Sequence, residues 1–387
     1  MRILLVQNTT YVPAHGGANK ATRAIIEGLA ERGHTCCAIA RASASQAGDP
    51  VAQITRELSD REIAVSSATP DVVTFRHKDV EVYAVAQARN MRAQVSRRIA
   101  ELEPDRILVT SEDPGQRLLE TCLPNAVYFA QTTLLLPFGP AGALTVSHGR
   151  EVIRRAAGVI VVSDYLKSYF RLWAEIESTV IRPPVFGPGP FPRFGRPDRG
   201  FITIVNPSAV KGIDIFIELA RKRPDVEFAA VMGWGTTAAD ESALRALPNV
   251  RLLQPVDDLG DVLRQTRILL MPSIWAEAFG CVAIEAMLHG IPVLASDVGG
   301  LPEAKLGVEY VLPVRPIERY EPRLDDRMLP IPIVPRQDCG PWLDALGDLL
   351  DHPASYERVA ARSRTAATAA LADIGVDPFD RYLQALG

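Results

Sequence analysis

A proline- and glycine-rich stretch in the middle of the chain separates two series of strands and helices. It spans residues 182–200 and reads RPPVFGPGPFPRFGRPDRG, without apolar periodicity. This composition predicts a linker, because proline cannot donate a backbone hydrogen bond and glycine favours turns. On both sides, short β-branched runs alternate with longer amphipathic stretches, a pattern that favours parallel sheets covered by helices. The chain of 387 residues is also long enough for two cores.

We predict an α/β protein with two Rossmann-like, doubly wound domains that face each other across a cleft, where ligands bind at the carboxyl ends of the strands. Residues 1–182 form the N-terminal domain and residues 183–199 the linker. Residues 200–353 form the C-terminal domain. Residues 354–387 are C-terminal helices that could pack back across the N-terminal domain.

Apolar periodicity places the individual elements. The expected strands are 2–6, 36–40, 72–74, 80–85, 107–110, 127–130, 159–162, 201–205, 226–231, 250–253, 268–271 and 293–295. The expected helices are 18–32, 213–221, 281–289, 355–371 and 378–386, and residues 316–338 are expected to be irregular.

Composition excludes several classes of protein. The formal net charge is -4, so the chain lacks the basic surface that binding to nucleic acid requires. Five cysteines without a CxxC pair favour neither a disulfide framework nor a structural zinc site, and a reducing cytoplasm is expected. The apolar run in MRILLVQNTT is too short for a signal peptide or a spanning helix, so membrane contact is expected to be peripheral at most.

The segment PSIWAEAFGCVAIEA carries the strongest chemical signal. A strand is expected to end at Met271, a short loop carries Glu277, and a helix starts near Gly280, with Glu285 in its second turn. Backbone N–H groups at a helix N-terminus bind anions such as phosphate. Carboxylates on either side of that position can accept hydrogen bonds from sugar hydroxyls. The residues assigned to this anion site are Ala278, Phe279, Gly280 and Cys281.

Both glutamates also have an ordinary structural explanation. Glu277 could simply complement the helix dipole, which is common. Glu285 lies among apolar residues on a helix that reads as buried, where an unpaired carboxylate is unfavourable. The functional interpretation is therefore favoured for both, and more strongly for Glu285.

The spacing of Glu277 and Glu285 is the E-x7-E spacing of retaining GT-B glycosyltransferases, and PSIWAEAFGCVAIEAMLHGIPVLASDVGGLPE resembles members of glycosyltransferase family four throughout. The resemblance implies that Glu277 contacts the hydroxyls of the donor sugar. It also implies that Glu285 holds the ribose of the nucleotide.

Two further segments resemble the same family. Residues 206–212, NPSAVKG, are similar to its R-x4-KG segment, in which Arg and Lys hold the donor diphosphate. Lys211 matches, whereas the Arg position is Asn206, so we expect Lys211 to carry more of the stabilisation of the leaving group. Gly16 and Gly17 resemble the glycine pair that approaches the donor phosphate, although two glycines after a strand also make an ordinary turn. Ser208 and Leu253 complete the predicted donor-binding set, and Lys211 and Glu277 are the predicted catalytic residues.

The sequence departs from the family where a histidine often contacts the donor sugar. It reads Gln131-Thr132-Thr133 there, and no catalytic histidine is assigned. His15 and His289 are expected to have ordinary structural roles. No DxD pair or histidine cluster indicates a metal site.

An apolar run follows the strand at residues 127–130. Gln131, Thr132, Leu135 and Phe138 are predicted to lie on the acceptor side. The run could cover the domain core as a short helix, which is the somewhat more favoured explanation. Alternatively, it could form an apolar wall for a lipid, polyketide or aromatic acceptor.

These residues predict a retaining, metal-independent glycosyltransferase that needs no cofactor beyond its nucleotide-sugar co-substrate. UDP is the default nucleotide because it is common in the family. The expected partners are this donor and a small-molecule or lipid acceptor, and the oligomeric state is left open. A nucleotide-sugar epimerase, a sugar phosphorylase and a non-catalytic sugar-nucleotide-binding protein are the alternatives.

Overall fold

The computed structural model describes residues 1–14, 16–43, 48–142, 147–184, 186–187, 189–256, 258–325 and 329–386. They form two compact units. Unit 1 comprises Met1–Val185 and Asp373–Gly387, and unit 2 comprises Phe186–Ala372. Within the described ranges, no helix is both long enough and apolar enough to cross a membrane.

Unit 1 is built on a nine-stranded sheet. Its strands are β1 (Arg2–Thr10), β2 (Thr35–Arg41), β3 (Val65–Ala68), β4 (Val72–His77), β5 (Val80–Val85), β6 (Arg106–Thr110), β7 (Ala126–Ala130), β8 (Gly158–Val161) and β9 (Thr179–Val180). The order across the sheet is β3-β4-β5-β2-β1-β6-β7-β8-β9. Neighbours pair in parallel except at one edge, where β3, β4 and β5 form an antiparallel meander. The inner strands are apolar on both faces because helices cover both sides.

Six helices of unit 1 connect these strands. They are α1 (Gly16–Glu31), α2 (Pro50–Asp60), α3 (Met91–Leu102), α4 (Arg117–Cys122), α5 (Ser147–Arg154) and α6 (Asp164–Ala174). The predicted start of α1 at residue 18 is two residues late, since Gly16 and Gly17 already form its first turn. The helix ends two residues before Gly33, the predicted stop, and this glycine adopts a φ of 87° in the turn that follows.

Unit 2 has a six-stranded parallel sheet and a separate hairpin. The sheet contains β10 (Phe201–Val205), β11 (Phe228–Val231), β12 (Val250–Leu253), β13 (Thr266–Met271), β14 (Val293–Ser296) and β15 (Val311–Leu312), in the order β12-β11-β10-β13-β14-β15. The hairpin pairs β16 (Tyr320–Leu324) with β17 (Pro330–Pro332) and lies in the stretch predicted to be irregular. The helices are α7 (Ile213–Lys222), α8 (Ala238–Arg245), α9 (Gly260–Leu263), α10 (Cys281–Leu288), α11 (Leu301–Ala304), α12 (Gly340–Asp351) and α13 (Pro353–Ala370).

The two C-terminal helices belong to different units. Helix α13 stays with unit 2, where the Tyr356 hydroxyl donates to the Arg267 carbonyl at 2.7 Å. Helix α14 (Asp377–Ala385) belongs to unit 1, and Phe379 packs edge-on against Phe129 at 5.3 Å between ring centroids. The sequence interpretation groups residues 354–387, whereas the structure divides them between residues 372 and 373. Periodicity finds both helices but does not say which core each one joins.

Each sheet has one position where the strand order reverses. In unit 1, β1 lies between β2 and β6, and in unit 2, β10 lies between β11 and β13. Helices that leave the two flanking strands run to opposite faces, which opens a crevice at the carboxyl ends of the central pair. These two switch points are therefore the expected ligand positions.

Candidate functional site

The switch point of unit 2 begins at Asn206, directly after β10. Its backbone is left-handed, with a φ of 60°, and its side chain is buried. Its Oδ1 accepts a hydrogen bond from the Gly235 amide at 2.8 Å. Its Nδ2 has no hydrogen-bond partner among the residues that the structure describes. A buried amide donor without a partner is unfavourable, so a ligand acceptor is expected there.

Ser208 continues the same edge. Its carbonyl accepts from the Lys211 amide at 3.0 Å, which forms a short 3₁₀ turn over Ala209–Lys211. The Ser208 Oγ is buried and lacks a partner within the described ranges. A Cβ at Gly235 would lie 2.9 Å from this Oγ, so a glycine is needed for the loop after β11 to approach it. The two side chains with unsatisfied polar atoms therefore both border Gly235.

Lys211 and Glu277 form an ion pair that brings the ends of β10 and β13 together. Glu277 is 7% exposed, and its Oε1 also accepts from the Ser273 hydroxyl at 2.6 Å. Burial alone would raise the pKa of Glu277. The Lys211 ammonium and the Ser273 hydroxyl outweigh it and hold this pKa below its ordinary value. Glu277 is thus an ionised carboxylate beside a cation.

Two loops are interlocked to hold this pair. Gly212 has a φ of 72°, and a Cβ there would overlap the Pro272 carbonyl. The Ile274 amide donates to the Val210 carbonyl at 3.0 Å. The Trp275 ring lies 4.9 Å from the Lys211 Nζ, a cation–π contact. The predicted catalytic residues are therefore brought together by backbone contacts as well as by charge.

Helix α10 follows Glu277, as the sequence predicts. Gly280 precedes it with a φ of 108°, and a Cβ there would lie 2.5 Å from Leu301. Ala278 and Phe279 are buried, and burial raises the pKa of Cys281 to about 12, which keeps its thiol neutral. Glu285 lies one turn into α10 and is half-buried, so it is more accessible than its apolar neighbours predicted.

Leu253 lies further from the pair than the other predicted donor residues. It ends β12, and its carbonyl accepts from the Met232 amide at 3.0 Å. Strand β11 separates β12 from β10, so Leu253 is two strands away from the residues that follow β10.

The switch point of unit 1 brings Gly16, Gly17 and Gln131 together. Both glycines are exposed, and a Cβ on either would meet nothing within 4 Å. The Gln131 Nε2 donates to the Ala18 carbonyl at 3.1 Å, and its backbone amide donates to the Ser111 hydroxyl at 2.9 Å. Gln131 thus links the ends of β6 and β7 to the start of α1.

The apolar run after Gln131 packs into the core of unit 1. Phe138 is buried and lies 5.0 Å from the Phe170 ring in an edge-on arrangement. Its assignment to an acceptor wall is therefore corrected, because its ring is covered by protein. Thr132 and Leu135 are half-buried. The run forms no helix over residues 131–142, and residues 143 and 144 lie outside the described ranges.

Sequence reasoning missed Glu112. It follows β6 at the switch point, and its Oε2 is buried without a hydrogen-bond partner in the described part of the chain. Burial raises the pKa of Glu112. The Thr110 hydroxyl opposes this rise only in part, and no cation among the described residues contributes to offset it. The signal was present, since an acidic pair follows the apolar strand in ILVTSED. What the sequence lacked was the position of β6 beside β1.

The histidines have structural surroundings where they are described. His289 pairs its Nδ1 with the Pro192 carbonyl at 2.7 Å and stacks on Phe194 at 4.2 Å. Burial lowers the pKa of His289, so the ring is neutral. His15 lies outside the described residues. No group of three potential metal ligands occurs in the part of the chain that the structure describes.

Comparison with known proteins identifies relatives of part of the chain. Residues 197–318 match the family model for Glycosyl transferases group 1. A D-inositol 3-phosphate glycosyltransferase of Mycobacteroides abscessus is 32% identical over 151 residues, which is 36% of this chain and 29% of that protein. The matched segments cover between 10% and 33% of the lengths of such curated relatives.

Solved structures are similar over almost the whole chain. Sucrose-phosphate synthase of Thermosynechococcus elongatus has a TM-score of 0.66 at 16% identity, covering 95% of this chain and 94% of its own. The HepE protein of Anabaena, in complex with UDP and glucose, has a TM-score of 0.63 at 17% identity, covering 99% and 98%. At these identities the likeness concerns the fold, and it extends over both units.

Proposed function

We propose that this chain, which has the GT-B fold and resembles glycosyltransferase family four, transfers a sugar from a nucleotide-diphosphate donor to an acceptor. One observation carries the proposal. The switch point of unit 2 carries both the Lys211–Glu277 ion pair and two unsatisfied polar atoms, Asn206 Nδ2 and Ser208 Oγ. All four residues fall within the segment that matches the family model.

Lys211 is the group that would stabilise the leaving diphosphate. The bond between the anomeric carbon and the diphosphate oxygen breaks with a gain of negative charge on the phosphate. A fixed ammonium in a partly buried site stabilises that charge more than water does. Glu277 holds Lys211 in place through Oε1 and would use its remaining acceptor positions for the hydroxyls of the donor sugar.

Asn206 and Ser208 would supply neutral hydrogen bonds to the same donor. The amide Nδ2 and the hydroxyl can each donate to a phosphate or sugar oxygen, but neither brings charge. Glu285, half-buried on α10, would accept hydrogen bonds from the ribose. Phosphate stabilisation then depends on Lys211 and on backbone dipoles.

The stereochemistry, the nucleotide and the lack of a metal are further parts of the proposal. The resemblance supports retention, in which the acceptor hydroxyl attacks the face from which the diphosphate leaves and gives its proton to a diphosphate oxygen. UDP is the proposed nucleotide, and the HepE relative was solved with UDP and glucose. Lys211 would perform the charge neutralisation that a divalent cation performs in metal-dependent transferases.

The test combines binding with turnover on the full chain. UDP at about one hundred times its dissociation constant should stabilise the protein by about 2.7 kcal/mol in thermal unfolding, and Lys211→Ala should reduce this shift. UDP-glucose is then incubated with and without a mixture of candidate acceptors, and products are followed by NMR. A new glycoside that keeps the donor's anomeric configuration supports the proposal.

Other outcomes contradict it. Conversion of the donor to another sugar nucleotide without an acceptor would identify an epimerase. A requirement for inorganic phosphate would identify a phosphorylase. UDP binding without turnover on any acceptor or phosphate would indicate a non-catalytic binding protein.

A further inference from the structure

The switch point of unit 1 carries a second set of polar residues, centred on Glu112 and Gln131. We propose that they bind the acceptor, and that the acceptor is a polyol bearing an ammonium group, such as an aminocyclitol or an amino sugar. This inference rests on the proposed function, because it names the acceptor class of that reaction.

The backbone builds a defined position at this edge. The Ser111 hydroxyl accepts from the Gln131 amide at 2.9 Å, which joins the end of β6 to the end of β7. The Gln131 Nε2 donates to the Ala18 carbonyl at 3.1 Å, which joins both strands to the first turn of α1. Next to Ala18, Gly17 is exposed, and nothing would lie within 4 Å of a Cβ there. The edge is thus fixed on two sides and open at the glycines.

Two side-chain oxygens at this edge lack donors. Glu112 Oε2 and Gln131 Oε1 are both buried atoms without a hydrogen-bond partner among the described residues. The Gln131 amide oxygen can only accept hydrogen bonds, and so can the Glu112 carboxylate once a ligand cation favours its ionised form. A ligand that satisfies them must therefore present donors, which are hydroxyl or ammonium groups.

The electrostatics around Glu112 favour an ammonium over a hydroxyl as the donor group of the ligand. Glu112 has no cation to offset its burial, and its pKa is raised. The neighbouring Asp113 has a different role, since it accepts from the amides of Leu118 at 2.8 Å and Leu119 at 2.9 Å. Burial therefore favours the neutral form of Glu112. A ligand ammonium would supply the countercharge that its ionised form lacks, whereas a phosphate would not.

This preference separates the chain from some of its relatives. The Mycobacteroides abscessus relative is named as a D-inositol 3-phosphate glycosyltransferase. A cyclitol ring would suit the two unpartnered oxygens equally well here, but an anionic substituent beside Glu112 would not. The substituent on the ring therefore distinguishes the two acceptor classes.

The test uses three probes that share a polyhydroxylated six-membered carbocycle and differ in charge. Scyllo-inosamine carries an ammonium, myo-inositol is neutral, and D-inositol 3-phosphate is anionic. Each is titrated calorimetrically into the full chain, with and without saturating UDP. We expect scyllo-inosamine to bind about tenfold or more tighter than myo-inositol, because a charge-assisted hydrogen bond is stronger than a neutral one, and the phosphate to bind most weakly.

A variant pair assigns the preference to Glu112. Glu112→Gln keeps the shape but removes the charge, so it should weaken scyllo-inosamine by about tenfold and leave myo-inositol nearly unchanged. Glu120→Gln removes a partly exposed carboxylate of α4 that pairs with His148, and should change neither. If Glu112→Gln fails to fold, Gln131→Met serves instead. That variant removes the amide oxygen and should weaken both probes by similar factors.

Several results would overturn the proposal. They are tightest binding of D-inositol 3-phosphate, equal binding of the three probes, no binding of any probe, or unchanged affinities in both Glu112→Gln and Gln131→Met. The titrations without UDP keep this test separate from the donor. A chain that binds scyllo-inosamine but not UDP contradicts the proposed function while supporting the acceptor site.

Discussion

The two switch points share a topology but carry different charge arrangements. In unit 2, the Glu277 carboxylate is paired with Lys211, and two unsatisfied polar atoms, Asn206 Nδ2 and Ser208 Oγ, can donate hydrogen bonds. In unit 1, the Glu112 carboxylate has no countercharge among the described residues, and Gln131 offers an unsatisfied acceptor. The first edge suits an anion with hydroxyls, and the second suits a ligand rich in donors. The same sheet topology can thus be adapted to opposite ligand chemistries by the few residues that follow its central strands.

Among the proposed variants, Lys211→Ala in the unit 2 site should lower activity most. Removing one preorganised stabiliser of developing charge typically lowers kcat by about 100-fold or more, and donor binding should weaken less. Steady-state kinetics with the identified acceptor measure both. Lys222→Ala, which changes an exposed lysine in the same unit, is the control. Near-normal turnover of Lys211→Ala would show that another group stabilises the leaving diphosphate.

Neutralising the two edge carboxylates should change stability in opposite directions. Glu277→Gln leaves Lys211 unpaired in a largely buried site and should destabilise the fold by about 3 kcal/mol. Glu112→Gln removes an uncompensated buried charge and should stabilise it by about 1 kcal/mol at neutral pH. Denaturant unfolding of the two variants beside the unmodified chain measures both values.

The pH dependence of these two effects follows from the pKa directions. Glu277 has a lowered pKa, so its contribution is complete above the unfolded pKa and is lost as pH falls through the folded pKa. Glu112 has a raised pKa, so its penalty is present above the folded pKa and disappears below the unfolded one. The gain in Glu112→Gln should therefore vanish in acid. A gain that persists at low pH would contradict the assignment.

Glu285→Gln tests whether Glu285 of unit 2 contacts the ribose of the donor. The proposed ribose contact exists in the ground state and in the transition state alike, so the donor KM should rise by about tenfold while kcat changes little. Glu218→Gln on α7 is a control that removes a partly exposed carboxylate. An unchanged donor affinity in folded Glu285→Gln would remove Glu285 from the site.

Gly17→Ala tests whether the open edge of unit 1 accommodates a ligand. The added methyl meets nothing within 4 Å, so stability should change by no more than about 0.5 kcal/mol. A ligand that approaches the glycine pair would nevertheless be displaced, and a several-fold rise in KM for donor or acceptor is expected. Gly375→Ala, at a similarly open glycine of unit 1, should leave both constants unchanged.

Chelation should produce the smallest effect. With Lys211 as the proposed neutralising charge, EDTA should leave the rate unchanged within error. If activity is lost and magnesium or manganese restores it, a metal ion rather than Lys211 neutralises the charge of the diphosphate.

The sequence predicts unit 2 in more detail than unit 1. Strands β10 and β12 have their predicted bounds, as does β5 in unit 1, and the structure pairs Lys211 with Glu277 from two separate motifs. Helix α3 was missed because only Met91 and Val95 of its twelve residues are buried, which leaves too narrow an apolar stripe to recognise. Two explanations stayed open for Phe138, because an apolar run has the same sequence pattern whether it faces the core or a ligand, and its burial supports the core explanation.

Glu112 shows most clearly which features cannot be predicted from the sequence. Its environment depends on the position of β6 beside β1 in the sheet. It also depends on the lack of a cation near Glu112 in the described part of the chain. Periodicity places an acidic pair after a strand but gives no strand order, so neither fact can be read from spacing. The residues of a motif, in contrast, are close in the chain, so their spacing alone predicts how they are arranged.

The return of the chain to unit 1 affects how this protein is made. Phe379 and Leu383 of α14 are fully buried in unit 1, and Val376 lies against Gly28 in α1. A ribosome therefore releases the whole of unit 2 before it releases the helix that completes the first core. Domains usually fold in the order of their synthesis, but here the earlier unit is complete only after a helix that follows unit 2 in the chain has been made. Until then, the surface around Phe129 is exposed to solvent and available to chaperones.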